Sequence, residues 1–388
     1  MQPRDALPTD DASWVDLIDV RAAERVLLVG APGSRAHRAL LRVTASVTVV
    51  EGVAELPEEQ PGAWDWVCLD TTAADLPASQ VVALLADAGR LVVVGVNRVS
   101  PVRVLDRVAR RGSVRGPYRR RRATQRQLAG AGLAVHQLFG LIRSAQAPAV
   151  AFDALVGSSS AAVLQATVAH VGGWRAAALR SVARLSPPRL LGVCPGWLVV
   201  AGVDAEKAAD RVVGKVSNRD SEEVKLLRGD PVSSVERRYL LSDPTAEVAA
   251  LRELEDVDFP LAPRVLGETS AGSSWCSWMG GGTLTLDRLD DDALVAWVGR
   301  AAGVLADLQR LTRRPDGTVL VHGDFWLGNL LTDGDEVTAV VDWTESSRGS
   351  ASIDRDFLVT SLDRWIGSEA LRRRLEAVRD EAMDPGGG

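Results

Sequence analysis

The residues best equipped for chemistry lie between 319 and 343, where VLVHGDFWLGNLL is followed, after a short polar turn, by VTAVVDW. Each apolar run reads as a short buried strand that delivers a polar loop or residue to one edge. Asp324, Asn329 and Asp342 can therefore converge although they are 5 and 13 residues apart. A carboxylate in such a group can orient a hydroxyl and accept its proton, and the oxygens suit one or two Mg2+ ions. Phosphoryl transfer asks little else of a protein. A turn between two strands would account for His322-Gly323-Asp324 alone, but not for Asn at +5 and Asp at +18 followed by Trp.

His-Gly-Asp-x-x-x-x-Asn, with Asp-Trp behind it, resembles the aminoglycoside phosphotransferase family, which includes choline and homoserine kinases and is related to protein kinases. The resemblance implies an α+β protein-kinase-like phosphotransferase domain using ATP and Mg2+. It makes Asp324 the catalytic base and Asn329 and Asp342 the metal ligands, with His322 bracing the loop. Gly349 to Asp354 looks like the family's Gly-x-x-x-x-Asp segment, so Asp354 would steady the catalytic loop, with Asp356 as its rival. The implied acceptor is a hydroxyl of a small molecule: an aminoglycoside, a sugar or an amino alcohol.

Such a site also needs a cation on the third strand of its N-terminal lobe, paired with a Glu on the next helix. Glu247, in AEVAALREL, fits the helix. Three residues compete for the cation: Lys225 in EVKL, Arg237 in VERR, and Lys215. Only three of the 45 basic residues are lysines, Lys207, Lys215 and Lys225. Arginine forks well but does not mimic a compact ammonium at every phosphate site, so retained lysines hint at a need and the order of preference is Lys225, Arg237, Lys215. The hairpin Ser217 to Asp220 lacks the glycines of a protein-kinase phosphate loop, and WCSWMG (Trp275 to Gly280) stands either at an interlobe hinge or in an ordinary strand. Without a cation the fold would bind as a pseudokinase-type scaffold.

The elements that must position these residues change character along the chain. Up to about residue 203, apolar runs alternate with helical patterns, the mark of a parallel sheet with crossover helices. Strands are expected at Arg25 to Val29, Ser46 to Val50, Trp64 to Leu69, Arg90 to Val96, Ala134 to Phe139 and Gly196 to Val203, and helices at Ser79 to Ala88, Gln125 to Gly130 and Ser159 to Arg184. From 204 onward a run of β segments, Arg211 to Val216, Glu222 to Leu227 and Val232 to Leu241, precedes a helix at Pro244 to Leu254 with Asp243 as its N-cap. The longest helix signal is Asp287 to Leu311. The expectation is an α/β Rossmann-like doubly wound domain over 1–203 and the kinase-like domain over 204–388.

In the first half, Gly30-Ala31-Pro32-Gly33 after a strand, with Glu51 closing the second strand, resembles the nucleoside-binding start of class I S-adenosylmethionine-dependent methyltransferases. That resemblance implies S-adenosylmethionine near Gly30, Gly33 and Glu51. Leu28 departs from it, since an acid usually stands two places before the first glycine. Methyl transfer with an accessory kinase-like domain is the alternative function. Ten arginines against one acid, Asp106, between Arg103 and Arg126 read as a solvated arm or lid, or as an anion-contacting surface. No nucleic-acid module accompanies them, so that partner is not favoured.

With 388 residues, 46% hydrophobic and 25% charged, the chain reads as two globular domains rather than a disordered protein. Residues 1–203 hold 23 Lys+Arg against 16 Asp+Glu, about +7, leaving 22 against 35, about −13, for the rest. The start lacks a secretory pattern and no apolar run approaches the roughly 20 residues that span a bilayer, so a cytoplasmic location is expected. Cys68, Cys194 and Cys276 are dispersed and read as core residues. His37, His136 and His170 have no ligand spacing. Oligomeric state is not encoded in any of these features.

Overall fold

A computed structural model describes residues 13–52, 55–56, 62–70, 78–97, 121–142, 150–168, 187–203, 211–218, 223–239, 244–269 and 273–384. Asp243, His170, the chain from Arg103 to Arg120, the helical pattern beyond residue 168 and the tip of the 217–220 hairpin lie outside these residues. The chain forms two compact units, residues 1–167 with 177–232, and 168–176 with 233–388.

The first unit is built on a large mixed sheet of nine strands. β1 (Val26–Val29), β2 (Val47–Val50), β3 (Trp64–Leu69) and β4 (Leu85–Val96) run parallel in the order β2-β1-β3-β4. The sheet continues through β7 (Gly196–Gly202), β5 (Ala134–Ile142), β6 (Val150–Asp153), β8 (Val212–Asn218) and β9 (Glu223–Arg228), all in antiparallel pairs. All four residues of β1 are buried because both faces of the sheet are covered. Val26 and Leu28 pack with α1 (Arg35–Val43), whereas Leu27 and Val29 pack with α2 (Ala78–Leu84), α3 (Arg121–Gly130) and α5 (Pro187–Val193). A ten-residue helix, α4 (Ser159–Val168), follows β6.

Two outcomes differ from the sequence expectation. β6, four residues long and unmarked in the apolar pattern, pairs with β5 and offers its other edge to β8, with Val150 opposite Val216. Because of that edge, the first two strands beyond residue 203 fall in the first unit, and the units divide between 232 and 233 instead of at 203/204.

In the second unit, β10 (Ser234–Tyr239), β12 (Ser273–Ser277) and β11 (Val265–Thr269) form antiparallel pairs in that order. α6 (Thr245–Asp256) begins after Pro244 as N-cap. α7 (Asp291–Thr312) starts at Asp290, whose carboxylate accepts from Ala293 N–H at 2.8 Å, with Asp291 and Asp292 in its first turn and Arg310 in its last. Its buried stripe, Leu294, Trp297, Val298, Ala301, Ala302, Leu305 and Leu308, has helical spacing. That stripe packs with α6, α8 (Ser352–Thr360) and α9 (Glu369–Met383) around Phe325, Leu327 and Trp343. Short pairs complete the unit: β13 (Gly282–Thr283) with β15 (Leu330–Asp333), β15 with β16 (Glu336–Val340), and β14 (Val319–Val321) with β17 (Ser347–Gly349). Among the described residues no helix is long and apolar enough to cross a membrane. The three cysteines are free and buried, as expected of core residues.

Candidate active site

β14 carries the chain into His322-Gly323-Asp324, and the β15/β16 hairpin, enclosed in sequence by the β14/β17 pair, returns it to Asp342. Gly323 has φ +85°, and a Cβ there would stand 2.3 Å from the Glu345 carbonyl, which only glycine avoids. Asp354, at the start of α8, accepts from the N–H groups of His322 at 2.6 Å and Gly323 at 2.9 Å. It thereby satisfies two loop donors that secondary structure leaves unpaired. Asp356, its rival, is exposed.

His322 is fully buried between Trp343, 4.5 Å between ring centroids, and Phe325, 5.8 Å away. Its Nδ1 accepts from Asp324 N–H at 3.3 Å and its Nε2 donates to the Val341 carbonyl at 3.1 Å, the pattern of a neutral ring. Burial lowers its pKa to about 4. Asn329 donates from Nδ2 to both the carbonyl and the Oδ2 of Asp324, each at 2.9 Å. Burial is the main cause that raises the Asp324 pKa; the Asn329 hydrogen bond opposes it, and the charges of Asp342 and Glu345 add to it.

Asp342 adopts a left-handed backbone, φ 72° and ψ 62°, and its Oδ1 accepts from Thr344 Oγ1 at 3.1 Å and from Arg237 Nη2 at 3.2 Å. Arg237, on β10, is 7% exposed and its Nη1 is hydrogen-bonded to the buried Glu247 of α6. One guanidinium thus bridges Glu247 and Asp342. The donor set of Asp324, Asn329 and Asp342 is all oxygen and fits a hard divalent cation shared with phosphates. Among the described residues no cluster of three or more His, Cys, Asp and Glu side chains suited to a metal occurs.

The other two expected cations stand on β8 and β9. Lys215, on β8, is 0% exposed and donates to Asp16 Oδ2 at 2.5 Å and the Ser13 carbonyl at 2.8 Å. Lys225, on β9, is in register with Val216. Both are grouped with the first unit, and of the three expected cations it is Arg237 that is hydrogen-bonded to Glu247. The buried ion pair with Asp16 accounts for the lysine at 215. Trp275 and Cys276 lie in β12, opposite β10.

In the first unit, Gly30 closes β1 with its N–H on the Val50 carbonyl at 2.9 Å, and a Cβ at Gly30 would meet the Asp70 carbonyl at 3.1 Å. Gly33, φ +70°, donates to His37 Nδ1 at 2.9 Å, and Ser34 caps α1. Exposed Glu51 ends β2, with its N–H on Glu55 Oε2 at 3.1 Å. His136 is buried on β5. Asp70, at the end of β3 beside Gly30, is a residue the sequence reading does not single out; burial raises its pKa. Its signal in the sequence is an acid directly after a buried strand, WDWVCLD.

Residues 311–386 match the family model of the Phosphotransferase enzyme family (APH). That stretch contains every motif residue from His322 to Asp354. No curated protein matches the chain. Similar solved structures include the macrolide 2'-phosphotransferase MphH of Brachybacterium faecium, 18% identical over 43% of this chain and 74% of that one, TM-score 0.33. Another is the aminoglycoside phosphotransferase APH(3'')-Id of Streptomyces rimosus with ADP and streptomycin, 18% identical over 41% and 83%, TM-score 0.32. A SAM-dependent methyltransferase of Thermotoga maritima is 11% identical over 50% and 88%, TM-score 0.31. These are partial likenesses, and the family assignment of the segment rests on residues 311–386.

Proposed function

We propose that this chain is an ATP- and Mg2+-dependent phosphotransferase that moves the γ-phosphoryl group to a hydroxyl of a small molecule, an aminoglycoside, a sugar or an amino alcohol. The observation that carries the reading is the convergence of Asp324, Asn329 and Asp342 with the Arg237–Glu247 pair inside one compact unit. Asp324 orients the acceptor hydroxyl and takes its proton, and its raised pKa makes it a better base than an ordinary carboxylate. Asn329 fixes the rotation of that carboxylate. Arg237, held by Glu247, supplies the fixed positive charge that orients the nucleotide phosphates. Mg2+, held by Asn329 and Asp342, would neutralise charge on the transferring phosphates. Asp354 and His322 keep the loop in place.

The test is ATP consumption by the wild type and Asp324→Asn across aminoglycosides, sugars and choline. Loss of the catalytic base is expected to lower turnover by about 10²–10⁴-fold. Equal consumption by both would favour a scaffold of the pseudokinase type.

A second reading concerns the first unit. The connections from β1 to β2 and from β3 to β4 lead to opposite sides of the β1/β3 pair, which leaves a crevice at the carboxyl ends of β1 and β3, where Gly30 and Asp70 sit. That arrangement supports a Rossmann-like, doubly wound unit binding S-adenosylmethionine, with methyl transfer as the main activity and the kinase-like unit accessory to it. Calorimetry of the full chain with S-adenosylmethionine and with Mg-ATP separates the readings. Heat from S-adenosylmethionine alone would reverse their order.

A further inference from the structure

We propose that Trp326, Gly328 and Trp365 form a column that positions Asp324 and Asn329, which makes Trp365, far from the motif in sequence, a positioning residue for phosphoryl transfer. The inference rests on the phosphotransferase reading above.

Phe325 is fully buried, while Asp324 and Trp326 on either side of it are half-buried. The backbone at Trp326 is extended, φ −139° and ψ 167°, and in extended chain side chains two apart share a side. The chain then turns, with Asn329 N–H donating to the Trp326 carbonyl at 3.0 Å, while the Asn329 amide holds Asp324 at 2.9 Å. The place of Trp326 therefore sets Asn329 and, through it, the carboxylate of Asp324.

Two contacts hold the indole. A Cβ at Gly328 would stand 2.3 Å from Cζ2 of Trp326, so the ring lies against backbone where only glycine leaves room. The ring also stacks on Trp365, with centroids 6.3 Å apart and planes 30° apart. Trp365 is itself anchored. Its Nε1–H donates to Asp287 Oδ1 at 2.9 Å, and the Arg364 guanidinium sits 3.9 Å from its ring centroid. The column Gly328-Trp326-Trp365-Arg364 thus ties the catalytic turn to the α8–α9 connection and to the short turn Leu286–Arg288.

Steady-state kinetics on the full chain, with ATP and the acceptor panel, tests this. Trp365→Ala is expected to lower kcat about 10-fold with KM for ATP changed less than about twofold, the pattern of a displaced reacting group. Trp365→Phe, which keeps a stacking ring, should retain most of kcat. Gly328→Ala should lower kcat comparably in the wild type yet add nothing in Trp326→Ala, where its collision partner is gone. A residue that only stabilises the fold would lower Tm and leave kcat of the folded enzyme unchanged. Wild-type kcat in folded Trp365→Ala, or additive losses for Gly328 and Trp326, overturns the proposal. A wild type without Asp324-dependent turnover overturns the phosphotransferase reading and this inference together, whereas Asp324-dependent turnover that keeps its wild-type kcat in Trp365→Ala overturns the inference alone.

Discussion

Lys215 and Arg237 are both buried cations on β-strands, each held by a carboxylate, and they have opposite uses. Lys215 ends in a closed arrangement, with Asp16 and the Ser13 carbonyl as partners and no exposed surface. Arg237 ends between a buried acid, Glu247, and an acid whose side chain is 30% exposed, Asp342. A charge that faces only its structural partner joins two segments. A charge held from behind and reaching a half-open carboxylate is what the proposed phosphate site asks for. The difference lies in the second partner, and neither strand sequence reveals it.

Substitution at the two positions should separate these uses. Arg237→Met is expected to lower kcat/KM for ATP by about 10²–10³-fold in the folded enzyme, since it removes a preorganised donor from the phosphate site, and to lower the thermal midpoint as well, since the buried Glu247 loses its partner. Lys215→Met should affect stability alone, costing about 3–5 kcal/mol in urea unfolding because Asp16 loses its partner, with kcat/KM unchanged in the folded enzyme. If Lys215→Met abolishes turnover in folded protein, the contrast collapses and Lys215 belongs to the reaction. The smallest effect concerns His322, a ring kept neutral where the cations are kept paired. Its folded pKa of about 4 lies below the ordinary histidine value, so the stability it contributes is complete above about 6.5 and is lost as pH falls from there towards 4. His322→Gln should flatten that part of the stability profile, which denaturant midpoints at pH 4.5, 5.5 and 7 would read.

Much of the candidate site was legible because its signals are local. His322, Asp324, Asn329 and Asp342 lie within a short stretch whose apolar runs announce their own strands, and Asp354 follows a glycine segment of fixed length. Arg237 was only ranked second, since its role depends on Glu247 and Asp342 arriving from other elements. Trp326 and Gly328 lay inside the motif unread, because an indole pressed on a glycine leaves no mark in spacing. The long helix α7 was readable from its stripe and caps. The membership of β8 and β9 was not: it follows from the free edge of β6, a four-residue strand that composition does not distinguish from a loop.

Asp342 is a non-glycine residue at φ 72°, where a side chain costs of order 1 kcal/mol of backbone strain. The chain therefore accepts a local penalty at the position where an acid faces Arg237 and Thr344. A glycine there would relax the backbone and take the acid away in one step. Selection for robustness alone would drift towards that glycine, so the carboxylate at 342 marks a place where durability of the fold and competence of the site pull in opposite directions.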